Sequence, residues 1–165
     1  MELFQAIESR RTVKEFTSEP VPDELLTRVL GAGLWAQNHR LSQPWRFAIF
    51  GSQAHASFAE YFPRALGISS IVSVTCVKNE DAEVEREDYA AVACAIQNIQ
   101  LAAWSLGIGM QWSSGAAARN PRTQQIVGFD ADKESLVGLL FFGFPTQVPP
   151  AKARKPLDEV LRHLD

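Results

Sequence analysis

The sequence predicts an α+β fold. Helical and strand-like segments are mixed along it without the regular βαβα alternation of a doubly wound sheet. Two further observations bound that class. The chain has 165 residues, which suits a single domain spanning 1–165, and 46% of them are hydrophobic, enough for a packed core.

The elements follow in order. Leu3, Phe4 and Ile7 share one apolar face, so residues 2–10 read as a first helix. "SEPVPDELL" marks a turn and a helix start near Pro22 and Asp23. That helix runs to about Ala36, with Leu26, Val29, Leu30, Gly33 and Leu34 as its core stripe. Trp35 falls on the far side of the stripe and needs another burial partner. "RFAIFG" is a strand (46–51), and 52–62 is a helix. "SSIVSVTCVKN" (69–79) is rich in β-branched residues and reads as an inner strand. Residues 85–107 form the longest helix, apolar on nearly every side from Tyr89 to Ile96, and Gly107 and Gly109 end it. "MQW" begins another strand, "NPRTQQIVGF" is a short helix, 135–145 is a strongly apolar strand, and "KPLDEVLRHL" closes as a small helix.

Composition excludes several function classes. A net charge of −3 and a pI of about 5.6 give no basic field for nucleic acid. No run of about 18 apolar residues exists to span a membrane. "MELFQAIESRR" lacks the apolar centre of a secretion signal. Cys76 and Cys94 lie in apolar segments and read as two buried thiols in a cytoplasmic protein. His39, His55 and His163 are scattered, with no zinc-ligand spacing, so no metal is expected. "GIGMQW" follows a helix and precedes a strand, the reverse of a dinucleotide-binding fingerprint. No nucleophile has a base beside it. No side chain is assigned a catalytic role; an enzyme of this composition needs a cofactor to carry its chemistry.

Four patches share a character. "SRRT" (9–12) holds paired arginines and a hydroxyl. "WAQNHRLSQPWRF" (35–47) sets two tryptophans around polar donors. "QWSSG" (111–115) is a strand ending in small hydroxyls. "AKARKP" (151–156) is basic. Arginine forks suit phosphate, and tryptophan faces with a few rim donors suit a flat heterocycle. Each patch also has an ordinary reading. An Arg pair can be a solvated helix terminus favoured by the dipole. His39 can be a surface loop residue, Trp45 and Trp112 core, and Lys152 and Arg154 a solvated tail.

The same patches resemble the FMN-dependent nitroreductase family. "RRTVKEF" is similar to its opening "RRS-x-R-x-F". "AQNHRLSQPWRF" is similar to "AP-S-x-x-N-x-QPW-x-F". "IQNIQLAAWSLGIG" resembles its central helix, and "FFGFPTQVPPAKARKPLDEV" its closing strand and basic tail. The matches are in order and cover about 90% of the chain. The short length and "WSSG" resemble the family's compact branch of NAD(P)H reductases. Thr12 stands for the usual Ser, Lys14 for the second Arg, and Leu41 for an Asn found in many members. "NEDAEVERED" shortens an excursion that often covers the substrate.

The resemblance implies a mostly antiparallel sheet flanked by helices, in an interlocked homodimer with one FMN per site at the interface. It implies that Arg10, Arg11 and Thr12 hold the FMN phosphate from one subunit, while Trp35 and His39 come from the other. Trp112, Ser113 and Ser114 would line the cofactor from their strand end, and residues 102–107 would lie near the nicotinamide nucleotide. The implied activity is hydride transfer from NAD(P)H through FMN to a small, electron-poor acceptor. A flavin-binding module that stores or senses FMN without turnover remains the alternative.

Overall fold

The computed structural model describes residues 1–164. Its centre is a four-stranded antiparallel sheet in the order β1-β2-β4-β3, formed by β1 (Trp45–Ile49), β2 (Ser70–Val77), β3 (Gly109–Ser113) and β4 (Glu134–Gly143). The α+β class and the strand positions read from the sequence are both present, with ends shifted by one or two residues. β2 and β4 are the inner pair, and their near-continuous apolar runs reflect cover on both faces.

One face carries Val72, Val74, Cys76, Leu140 and Phe142 against the helices α2 (Asp23–Gly33) and α4 (Ala82–Ser105). The other carries Ile71, Leu139 and Phe141 against Phe58 of α3 (Ser52–Ala59), Ala65, Ile68 and Ala118. A register shift at Val74/Thr75 lets both strands keep their apolar residues on the correct faces past Gly138. α2 lies close on α4 because Gly33 has no Cβ: one added there would sit 2.8 Å from Ile99 Cδ1.

α4 begins three residues earlier than the periodicity predicts. Asp81 caps it by accepting from the Glu83 and Val84 amides at 2.9 and 3.3 Å. The expectation that it is buried all round from Tyr89 to Ile96 needs correction. Ala91, Val92, Ala95 and Ile96 are buried, but Tyr89 and Ala90 face outward within this protomer. Cys94 is likewise half-buried rather than buried, because it lies on the edge of that outward stripe. Two short helices complete the far face, α5 (Ala116–Arg119) and α6 (Pro121–Val127). α6 is capped by Asn120 and ended by left-handed Gly128.

The segment after α1 (Leu3–Ser9) is sewn to the sheet edge. Thr12 bridges Met110 in parallel, the Val13 amide donates to Met110 O at 3.1 Å, and Phe16 bridges Pro145. Gly109 and Gly143 make room for this crossing, since a Cβ at either would lie within 2.8 Å of Val13 or 2.6 Å of Phe16.

The closing helix expected over 155–164 is a single 3-10 turn, Leu157–Glu159. All of residues 151–164 are exposed, so no surface of this protomer stabilises a helix there, and so short a helix is marginal alone. Leu3, Phe4 and Ile7 of α1 also face solvent, Phe4 at 76%.

Candidate functional site

The cationic cleft is assembled by the edge crossing just described. Arg10, Arg11, Thr12 and Lys14 follow α1 across the start of β3, and Lys152 and Arg154 of the tail face them across a cleft of about 610 Å³. Gln147, Pro149 and Pro150 form its wall, and Glu15 is its single carboxylate. The base of the tail is tied to this place by the Thr146 amide, which donates to Glu15 O at 3.2 Å. Among the described residues none of the five cations has a salt-bridge partner. Burial, then the charges of Arg11 and Arg154, holds the Arg10 guanidinium below its ordinary pKa. The Arg11 fork is oriented by donating to Glu8 O at 2.7 Å and Arg10 O at 2.9 Å. Ser9 Oγ accepts from Trp104 Nε1 at 2.8 Å, fixing the end of α1 on α4.

Trp112 and Ser113 continue β3 beyond the residue that Thr12 bridges, Ser114 follows its end, and none of the three lines the cleft. The indole of Trp112 lies over Gly138, where an added Cβ would come within 2.5 Å of Nε1. Nε1 is buried and has no hydrogen-bond partner among the described residues. A buried unpartnered donor costs free energy.

Trp35 and His39 are not brought to the cleft, whose lining includes neither. α2 ends at Gly33, so Trp35 lies just past the helix, in the turn that follows, and not on its far side. It is 89% exposed. His39 opens a 3-10 turn (His39–Leu41) and pairs through Nδ1 with Glu87 of α4 at 3.1 Å. Of the expected residues the cleft therefore gathers only Arg10, Arg11 and Thr12; Trp112, Ser113 and Ser114 at the β3 end, and Trp35 with His39, lie outside its lining.

The loop that carries Trp35 and His39 holds features the sequence did not disclose. Arg40, Leu41 and Gln43 all have positive φ, at 50°, 58° and 45°. Three non-glycine residues in that region store strain and need outside restraint. Ser42 Oγ supplies it by donating to the buried carboxylate of Asp88 at 2.7 Å, and Asn38 Oδ1 accepts from the Gln43 amide at 3.0 Å. Asp88 lies on the buried stripe of α4 with Val92, Ala95 and Ile99. A carboxylate at that phase of an apolar helix was the available signal. Its partner 46 residues away was not predictable.

A sequence model of the Nitroreductase family matches residues 7–75 and 73–144, spanning the arginine pair, the Thr12–Met110 bridge and all four strands. The chain belongs to the nitroreductase family. This nitroreductase-family chain is 31% identical over 176 residues to the Bacillus subtilis (strain 168) protein named "Putative NAD(P)H nitroreductase YfhC", covering 94% of the chain and 90% of that relative. The crystal structure of a nitroreductase-like family protein from Bacillus cereus superposes with a TM-score of 0.92 at 26% identity, covering 100% of this chain and 97% of that one. A structure described as a "putative nitroreductase in complex with FMN", from Desulfovibrio desulfuricans, superposes at 0.84 with 29% identity, covering 100% and 98%. The nitroreductase-like fold expected from the sequence motifs is thus the fold of this chain.

Proposed function

We propose that residues 1–165 form one FMN-binding domain of an NAD(P)H oxidoreductase, working as a homodimer in the cytoplasm. The observation that carries the reading is the cleft where Arg10, Arg11 and Thr12 converge with no salt-bridge partner among the described residues. The donor set fits FMN. Paired guanidinium groups and a hydroxyl suit its terminal phosphate, and the unpartnered Trp112 Nε1 suits the polar edge of a buried heterocycle. The FMN complex of the Desulfovibrio relative and the NAD(P)H in the name of the Bacillus relative support the same choice.

Arg10, Arg11 and Thr12 would hold the phosphate, and Trp112, Ser113 and Ser114 would line the cofactor beside it. Trp35 and His39 would close the same site from a second subunit, which accounts for their distance from the cleft in one protomer. When bound, FMN supplies the redox chemistry, accepting hydride from the nicotinamide and passing reducing equivalents to a small electron-poor acceptor. This chain's part is to bind and orient, and to exclude water once the second subunit covers the exposed Trp35 and α1 faces. Nicotinamide and acceptor would occupy one place in turn, in a ping-pong sequence.

Purified protein should be yellow and release FMN rather than FAD on heating, and its flavin should bleach within seconds of anaerobic mixing with NADPH. A protein that stays colourless with added FMN contradicts the reading. Bound FMN that does not bleach would make it a flavin store.

A further inference from the structure

Asp88 is out of place in the core it occupies. It is 4% exposed, on the buried stripe of α4 with Ala91, Val92 and Ala95. Among the described residues no cation pairs with it. A buried carboxylate without a counter-charge costs the fold free energy, and an apolar residue of similar volume often serves stability as well or better. Its hydrogen-bond partner is Ser42 Oγ at 2.7 Å, on a residue that is itself exposed. The bond therefore does little for the core. It reaches a loop in which Arg40, Leu41 and Gln43 all hold positive φ, which costs any residue with a Cβ. The preceding residue of α4, Glu87, pairs with His39 Nδ1 at 3.1 Å, so α4 grips the loop at two points. Asn38 joins the loop to the turn that carries Trp35. Its Nδ2 donates to Ala36 O and its Oδ1 accepts from the Gln43 amide, both at 3.0 Å.

We propose that Asp88 is a positioning residue for FMN. Through Ser42 it holds residues 38–43 in their strained shape, and so fixes how Trp35 and His39 are presented to the cofactor of a second subunit. The proposal rests on the FMN reading given above and adds the residue that shapes the second subunit's share of the site. Asp88 does not line the cationic cleft, so it acts through the loop and not on the phosphate. A loop released from Asp88 relaxes to less strained conformers, and FMN must then select the minor one that fits. Losing a charge-assisted hydrogen bond that preorganises the loop weakens affinity by about ten- to a hundredfold. Glycine adopts positive φ without steric cost, so a glycine in the loop should do part of what Asp88 does.

The test titrates FMN by fluorescence into the full chain, with folding checked by circular dichroism. Asp88→Ala and Ser42→Ala should each raise the FMN dissociation constant by about ten- to a hundredfold, and together by no more than either alone. Ser42→Thr keeps the hydroxyl and should bind FMN within about threefold of the wild type. Arg40→Gly, added to Asp88→Ala, should recover about three- to tenfold of the loss. A residue that served stability alone would move the unfolding midpoint and leave the FMN affinity of the folded protein unchanged, with nothing for a glycine to restore. FMN affinity within about threefold of the wild type in folded Asp88→Ala or Ser42→Ala overturns the proposal. So do additive losses in the double variant, or a loss in Asp88→Ala that Arg40→Gly leaves untouched. If Asp88→Ala does not fold, Ser42→Ala against Ser42→Thr decides, because Ser42 is exposed and its hydroxyl makes the same bond. A wild type that binds no FMN, or a Trp35→Ala chain that binds it normally, fails at the earlier reading and takes this proposal with it.

Discussion

Arg11 is the residue on which the site's electrostatics turn. Its guanidinium is aimed by two backbone carbonyls at 2.7 and 2.9 Å and has no carboxylate partner among the described residues. Arg11→Ala or Arg10→Ala should raise the FMN dissociation constant by about ten- to a hundredfold. The phosphate lies at the opposite end of FMN from its reacting ring. Single-turnover reduction by NADPH at saturating FMN should therefore change little. Fluorescence titration and stopped-flow absorbance separate the two effects, and normal FMN binding in both variants would reduce the pair to an ordinary helix end. Cys76 gives a residue-scale prediction of another kind. Burial, then the nearby charges of Asp88 and Glu85, pushes its thiol up from 9.0 to about 11. The folded chain thus keeps a proton that the unfolded chain releases. That contribution to stability is complete below about pH 9 and is lost as pH rises toward 11. Urea unfolding should show the advantage of wild type over Cys76→Ala shrinking across that window. An advantage that holds constant from pH 8 to 11 would mean the thiol is not held protonated.

At the scale of elements, α4 organises the molecule, touching α1, α2, β2, β3 and the strained loop through residues spread over its length. Its start depends on Asp81, whose carboxylate satisfies two amides of the first turn. Asp81→Ala should cost about 1 kcal/mol of stability, read from the midpoint of chemical denaturation at unchanged slope. Asp81→Asn should recover most of it, and equal stability of all three would mean the cap is idle. The sequence made α4, β2 and β4 legible because their apolar periodicities are long. It also exposed the arginine pair, the "QPW" loop and the "WSSG" strand end as chemically alike. It could not reveal that Thr12 bridges Met110, 98 positions away by number, or that Ser42 is held by Asp88. Such pairings depend on tertiary approach and leave no local pattern. The helix expected near the C-terminus is absent for a related reason: its apolar residues Leu157, Val160 and Leu161 have a pattern but no surface in this protomer to pack on.

For the whole molecule, the exposed apolar residues are the main argument for a second copy. Trp35, Phe4 with Ile7, and Leu161 with Leu164 come from three separate stretches of the sequence, and all face solvent. Apolar surface on that scale on a small protein marks an interaction site. An obligate homodimer interface buries on the order of 2,000–5,000 Å² and would cover them. In that assembly Trp35 and the arginine pair, separated in one protomer, would meet across the interface. Complementation tests this most directly. Trp35→Ala and Arg11→Ala subunits, each weak in FMN binding as homodimers, are unfolded, mixed and refolded, and the mixed dimers are isolated by differential tags. If each site takes Arg11 from one subunit and Trp35 from the other, a mixed dimer has one intact site and one carrying both lesions. Fluorescence titration should then find one FMN per mixed dimer bound with wild-type affinity. Mixed dimers that bind FMN no better than either parent would contradict a site shared between two subunits.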